Sequence, residues 1–432
     1  MKRGLLLIIA GIMLVLVAVL AAFVGIQYGI DPGSDQPGVA VADTAAQIAE
    51  GKYLVRAGDC MACHTARGGK EYAGGREIPT PFGSLYSPNI TPDVASGIGS
   101  WSGNDFWRAL HNGKSKDGHF LYPAFPYPNY TKVSRADSDA MFAYLKTLTA
   151  VPQVSREHAL HFPFNYRFML AGWRALYFHP GSYATGQHQT AEWNRGAYLV
   201  QGLGHCEACH TNRNALGATE PGVDLAGSLI PVLDWYAPSL TSDAEAGLGS
   251  WDKQHIVALL KTGISPRGTV FGPMAMVVQH SLQHLSDDDV GAMATYLKSL
   301  PQTVARVDDA SFTVEQGDAK KTLQLGAKLY GDHCVACHKE NGSGMAPAYP
   351  PLAGNRAITM YSSVNPVRMV LNGGFPPGTE GNPRPYGMPP FGPMLTDVEV
   401  AAVASYIRQS WGNNASLVSP VMVSRYRTVP VD

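Results

Sequence analysis

Six cysteines in this chain fall into three pairs, each inside a C-x-x-C-H motif: Cys60-Met-Ala-Cys63-His64, Cys206-Glu-Ala-Cys209-His210 and Cys334-Val-Ala-Cys337-His338. No cysteine is left over. The chemistry this spacing serves is covalent attachment of a c-type haem. Two thiols add to the haem vinyl groups, and the adjacent histidine takes one axial face of the iron. Disulfide frameworks belong mainly to short secreted chains. A zinc ribbon needs two pairs converging on one ion, whereas each pair here carries its own histidine. A thioredoxin-like dithiol would not need that histidine. The motifs therefore predict three covalently bound haems c.

A haem iron that only passes electrons usually has its second axial face closed, most often by methionine from a loop before the last helix. In the third repeat Met388-Pro389 precedes Thr396 and suits this role, with Met394 as rival. In the second, Phe271-Gly-Pro-Met274 precedes the closing helix, with Met276 as rival. The first repeat departs from the pattern. Tyr122-Pro-Ala-Phe125-Pro126 holds phenylalanine where Tyr386-Gly-Met388-Pro389 holds methionine, and phenylalanine cannot ligate iron. Met169 and Met141 are the candidates there. Met141 sits at an ordinary core position of a helix, and His111, His119, His158 and His161 read first as packing or surface residues. The first sixth ligand stays open.

Elements that could position these groups recur with the motifs. Gly51-Lys-Tyr53, Gly196-Ala-Tyr198 and Gly326-Ala-Lys-Leu-Tyr330 precede them, in stretches with the i, i+3, i+4 apolar spacing of helices. Tyr86-Ser-Pro-Asn-Ile-Thr-Pro-Asp93 answers Tyr236-Ala-Pro-Ser-Leu-Thr-Ser-Asp243, and Gly97-Ile-Gly-Ser-Trp101 answers Gly247-Leu-Gly-Ser-Trp251. Each repeat closes on a helical pattern: Met141-Phe-Ala-Tyr-Leu-Lys, Met293-Ala-Thr-Tyr-Leu-Lys and Val403-Ala-Ser-Tyr-Ile-Arg. Thr396 with Glu399 forms a capping box, Ser286 with Asp289 a weaker one, and Ser134 opens the first closing helix. Strand alternation is scarce, and Gly/Pro-rich loops such as Tyr122–Pro128 and Gly373–Gly378 join the helices. Self-similarity of this kind means one unit copied.

The expected fold is mainly α, with three tandem haem domains at 45–150, 190–300 and 318–412 after an N-terminal transmembrane helix at 4–30. Length agrees, since 432 residues suit three domains of roughly 100 residues. Segments near 151–190 and 301–317 read as linkers. Lys2 and Arg3 precede a charge-free run from Gly4 to Ile30, longer than the roughly 20 residues that span a bilayer. The positive residues should stay cytoplasmic, with Asp31 and Asp35 on the far side. This places the haem domains in the periplasm, anchored to the bacterial inner membrane. No A-x-A-like cleavage site follows closely, which favours an anchor over a removed signal peptide. A net charge of −1 gives no reason to expect nucleic acid.

With three C-x-x-C-H domains, the Ser-Pro-Asn-Ile-Thr-Pro-Asp segment, the Tyr-Pro-Ala-Phe-Pro-Tyr loop and the Ser410-Trp411-Gly412 ending, the chain resembles the three-haem cytochrome c subunit of membrane-bound bacterial dehydrogenases. The resemblance spans roughly residues 45 to 412. It implies a large catalytic partner that oxidises an alcohol, an aldehyde, gluconate, sorbitol or fructose, with a small third subunit as a further candidate. It also implies electron flow through the three haems to ubiquinone or a terminal oxidase. The residues agree independently: the chain has no Rossmann glycine fingerprint, no P-loop and no G-x-S-x-G elbow. The chain alone is then not an enzyme. Two readings compete, a multi-haem peroxidase with one open iron face and a cytochrome c subunit of a respiratory oxidase.

Overall fold

The computed structural model of the chain describes residues 2–31, 44–303 and 316–429. Asp35 and most of the expected 301–317 linker lie outside the described residues. The chain divides into two compact units, residues 1–55 with 63–184, and residues 56–62 with 185–432. The architecture is mainly α, as expected, and among the described residues the sheets are short and two- or three-stranded.

Each repeat is built on an opening helix that meets a closing helix. The opening helices are Ala45–Ala57, Ala191–Tyr198 with a π-helical extension Leu199–Leu203, and Gln316–His333. The closing helices are Arg135–Lys146, Asp287–Ser299 and Asp397–Gln409. The glycine of each opening motif marks the crossing. A Cβ on Gly51, Gly196 or Gly326 would lie 1.9, 2.0 or 2.1 Å from the carbonyl oxygen of Ala140, Ala292 or Ala402. Backbones this close exclude any side chain, so the repeated glycine is set by packing.

The expected caps start the closing helices. Ser134 and Ser286 accept hydrogen bonds from the backbone N–H groups of Asp137 and Asp289, and Thr396 with Glu399 forms a full capping box. Their basic C-terminal residues tie down nearby loops. Lys146 donates to the Gly99 carbonyl at 2.5 Å and Lys298 to that of Gly249 at 3.2 Å. Buried Arg408 donates to the carbonyls of Ile358, Met360 and Ser416 at 2.8, 3.0 and 2.9 Å. The Gly-x-Gly-Ser-Trp repeat is thus the loop that receives the closing helix. The Trp411 ring packs on Tyr330 with centroids 5.0 Å apart, while its indole N–H donates to the Glu340 carbonyl.

A middle helix lies between them in each repeat: Gly103–Asn112, Lys253–Thr262 and Val364–Asn372. Each stops on a glycine at positive φ, with Gly113 at +60°, Gly263 at +79° and Gly373 at +62°. This glycine turns the chain into the loop that could supply a sixth ligand.

The segment 151–190 is more than the expected linker. It contributes β3 (Ala159–Leu160), which adds to the hairpin β1 (Glu77–Thr80) and β2 (Gly83–Tyr86), with Gly83 opposite Leu160. It then forms the helix Leu170–Tyr177, packed against the N-terminal helix Lys2–Gly29. Eight helical residues are too few to display a clear period, which is why the pattern did not announce them. Beyond the third repeat, Pro420–Arg427 forms a further helix against Asp397–Gln409. The N-terminal stretch Arg3–Gly29 is a single helix long and apolar enough to cross a membrane.

Candidate functional site

The haem motifs sit on short helical turns, Cys60–His64, Glu207–His210 and Val335–His338. The six cysteines form no disulfide with one another. Each histidine makes the same contact. The Nδ1 atoms of His64, His210 and His338 lie 2.8, 2.7 and 3.1 Å from the carbonyl oxygens of Pro88, Pro238 and Pro350. A carbonyl oxygen can only accept, so Nδ1 carries the proton and donates it. That fixes the tautomer and leaves the Nε2 lone pair for a metal. Burial reinforces neutrality, lowering the basicity of all three imidazoles and taking His210 down to about 4. The donor set and tautomer fit a haem iron.

The acceptor prolines explain a motif whose role the sequence did not reveal. Pro88-Asn-Ile90, Pro238-Ser-Leu240 and Pro350-Pro-Leu352 are one element in three copies. In the first two repeats a hairpin precedes the proline, β1–β2 and then β4 (Ser228–Ile230) with β5 (Trp235–Ala237). In the third only the bridge between Met345 and Tyr349 stands there.

In the second unit a continuous, mostly apolar cavity is lined by Cys206, Cys209 and His210 together with Cys334, Cys337 and His338. Met274 and Met388 are on its wall, and Met276 and Met394 are not among its lining residues. Met394 is 63% exposed. The words Phe271-Gly-Pro-Met274 and Phe391-Gly-Pro-Met394 are identical, yet only the first brings its methionine to the cavity. Met388 is instead held by a two-way backbone pair with Gly374, at 2.8 and 3.0 Å. Sequence reasoning did not weigh Met293 and Met369, which also line the cavity.

Arg356 was missed as well. It lines the same cavity and donates to the carbonyls of Ser239 and Ala246, both at 3.0 Å, with its guanidinium 5.0 Å from the centre of the Trp251 ring. Burial pulls its pKa down to about 10, which still leaves a cation at neutral pH. A fixed positive charge beside His210 favours the reduced state of whatever metal that histidine holds.

In the first repeat the candidate ligands separate. Met141 is 1% exposed inside the closing helix, at the position that Val403 fills in the third repeat. His111 is buried against Trp107, His119 pairs with Asp117 at 2.5 Å, and His158 Nδ1 accepts from the Tyr86 N–H at 3.2 Å. His161 donates its backbone N–H to the Phe82 carbonyl. Met169 differs. It ends a 3₁₀ turn, Arg167–Met169, and remains 45% exposed. That turn is fastened to the loop after the middle helix. Arg167 donates to the Phe120 carbonyl at 2.9 Å and lies over the Tyr122 ring, and Tyr122 donates to the Phe164 carbonyl at 3.0 Å.

Comparison with known proteins agrees with this geometry. The sequence profile of the cytochrome c family, described as "Cytochrome c", matches three times, over residues 48–149, 194–301 and 323–411. The chain is 42% identical to the gluconate 2-dehydrogenase cytochrome c subunit of Pantoea cypripedii, over 86% of this chain and 87% of that one. It is 39% identical to the cytochrome c subunit of the quinone-type alcohol dehydrogenase of Gluconobacter oxydans (strain 621H), over 89% and 82%. It is 36% identical to the fructose dehydrogenase cytochrome subunit of Gluconobacter japonicus, over 88% and 82%. Three matched domains carrying three attachment motifs mean covalently bound haem c. The chain belongs to the cytochrome c family, as an electron-transfer subunit and not a catalytic one.

Proposed function

We propose that this chain carries electrons from a large dehydrogenase subunit to ubiquinone, with its haem domains on the periplasmic side of the bacterial inner membrane and Lys2–Gly29 as anchor. A small third subunit is a further partner in this reading. The observation that carries it is the threefold bond from histidine Nδ1 to a proline carbonyl, which prepares three equivalent axial ligands in one chain. Bound at these positions, haem supplies one-electron chemistry.

The chain's own residues do the rest. Cys60 with Cys63, Cys206 with Cys209 and Cys334 with Cys337 would hold the three groups covalently, and His64, His210 and His338 would each ligate an iron through Nε2. Met274 and Met388 would supply the second protein ligand in the second and third repeats, and Met169 would supply it in the first. Met169 is the choice because its turn is fastened to the loop that leads to a ligand in the other repeats. The apolar walls exclude water from the second and third sites, and Arg356 holds a positive charge beside His210.

A substrate dehydrogenase removes two electrons at once, which one-electron centres cannot accept together, so a partner cofactor must collect and release them singly. The test is reduction of the purified chain. Ascorbate should reduce it, whereas gluconate, ethanol or fructose should not until the co-purifying large subunit is added back. Substrate-dependent reduction by the chain alone, with the partner excluded by mass spectrometry, would refute the proposal.

A further inference from the structure

The segment 154–177 exposes apolar side chains in unusual density. Val154 is 86% exposed, Phe162 80%, Leu176 65% and Tyr166 49%. No acidic residue occurs from His158 to Ala191, and half-buried Arg167 lies within that stretch. A surface of aromatic and aliphatic groups with Arg156 and Arg167 and a single carboxylate, Glu157, has the chemistry of a membrane interface, where aromatic rings sit at headgroup level and cations meet anionic lipid.

The N-terminal helix says what covers this surface. About 20 residues at about 1.5 Å each cross the ~30 Å hydrocarbon core. Counted from Arg3, the far boundary falls near residue 23. Val24, the next residue, packs on the buried cluster of Phe120, Leu170 and Ala171. The helix Leu170–Tyr177 therefore meets the membrane helix at the depth where the bilayer ends.

The junction is fastened rather than loose. The Tyr28 ring stacks on Phe120 with centroids 4.1 Å apart. Buried Lys114 donates to the carbonyls of Tyr28 and Ile30 at 2.9 and 2.6 Å, satisfying the C-terminal end of the membrane helix. Asn112 donates to Asp31 at 2.5 Å, and Arg174 donates to the Asn112 carbonyl at 2.6 Å. A clamp at this depth holds the neighbouring apolar segment against the lipid.

We propose that residues 154–177 form an interfacial lipid-binding surface that lies on the bilayer beside the anchor and holds the first haem domain at the membrane. The inference rests on the reading of Lys2–Gly29 as an anchor, and its test separates the two. In the holoprotein every native cysteine is consumed by haem, so an added cysteine is the sole free thiol. Nitroxide labels at Phe162→Cys, Leu176→Cys, Leu14→Cys and Val94→Cys would be read in the full chain, in nanodiscs of phosphatidylethanolamine and phosphatidylglycerol. Collision with oxygen reports lipid, and collision with a water-soluble nickel chelate reports solvent.

The labels at 162 and 176 should favour oxygen several-fold, as at 14, while 94 in an exposed loop favours nickel. Nickel-accessible labels at 162 and 176 beside a lipid-accessible 14 would overturn this inference and leave the anchor standing. Lipid at 162 and 176 with water at 14 would support the interface and refute the anchor. Labels at 162 and 176 shielded from both probes would overturn it in favour of cover by haem or protein.

Discussion

The first and third repeats share a scaffold and part at one position. In both, the histidine donates to a proline carbonyl, and the opening helix meets the closing helix at a glycine. In both, the middle helix stops on a glycine at positive φ, and the next residue pairs with a residue of the following loop, Lys114 with Phe120 and Gly374 with Met388. At that paired position the third repeat places a methionine on the cavity wall, and the first places Phe120, fully buried, rather than the Phe125 that sequence comparison sets opposite Met388. A segment from beyond the closing helix also returns over that loop in the first repeat and carries Met169 at the end of its 3₁₀ turn. The backbone frame is copied, while the side chain it presents at the paired position is not.

The shared part of this comparison is the easiest to break. Gly51→Val, Gly196→Val and Gly326→Val should each destabilise their repeat by about 3 kcal/mol or more, because the side chain meets backbone that cannot yield. Urea titration and haem content by mass spectrometry would show it, and native stability in any one would break the equivalence of the crossings. The part that differs is next. Met388→His and Met169→His should each lower the potential of one haem, on the order of 0.2 V within the ~0.8 V that axial ligation spans. Met141→Leu should leave every potential in place, and a shift there would move the first ligand into the closing helix. Arg356→Met should lower one potential by somewhat under ~100 mV, the equivalent of about 2 kcal/mol for a charge several ångströms away at intermediate dielectric. The smallest effect is at the caps: Ser134→Ala and Thr396→Ala should each cost about 1 kcal/mol, seen as a shift in the urea midpoint.

How much of this was legible follows from where the information lies. The attachment motifs could be read outright, because covalent chemistry needs contiguous residues. The closing helices were legible through their caps, and the crossing glycines stood out as a repeat although their reason did not. The proline carbonyls carry no side-chain signal, and only the Pro-x-Ile/Leu echo of residues 88, 238 and 350 pointed to them. Arg356 acts across sequence-distant loops, contacting carbonyls at 239 and 246, so no local pattern marks it. Phe391-Gly-Pro-Met394 repeats the word that brings Met274 to the cavity without reaching it, since a backbone pair has already fixed Met388 on the cavity wall.

The span between each histidine and its proline acceptor is 24 residues in the first repeat, 28 in the second and 12 in the third. Doubling the length of a flexible loop costs only about 0.6 kcal/mol in closure entropy. Natural variation can therefore lengthen, shorten or redecorate this stretch while the imidazole keeps its tautomer. A chain of this design can change the face it shows to its surroundings, repeat by repeat, with little cost to its metal chemistry.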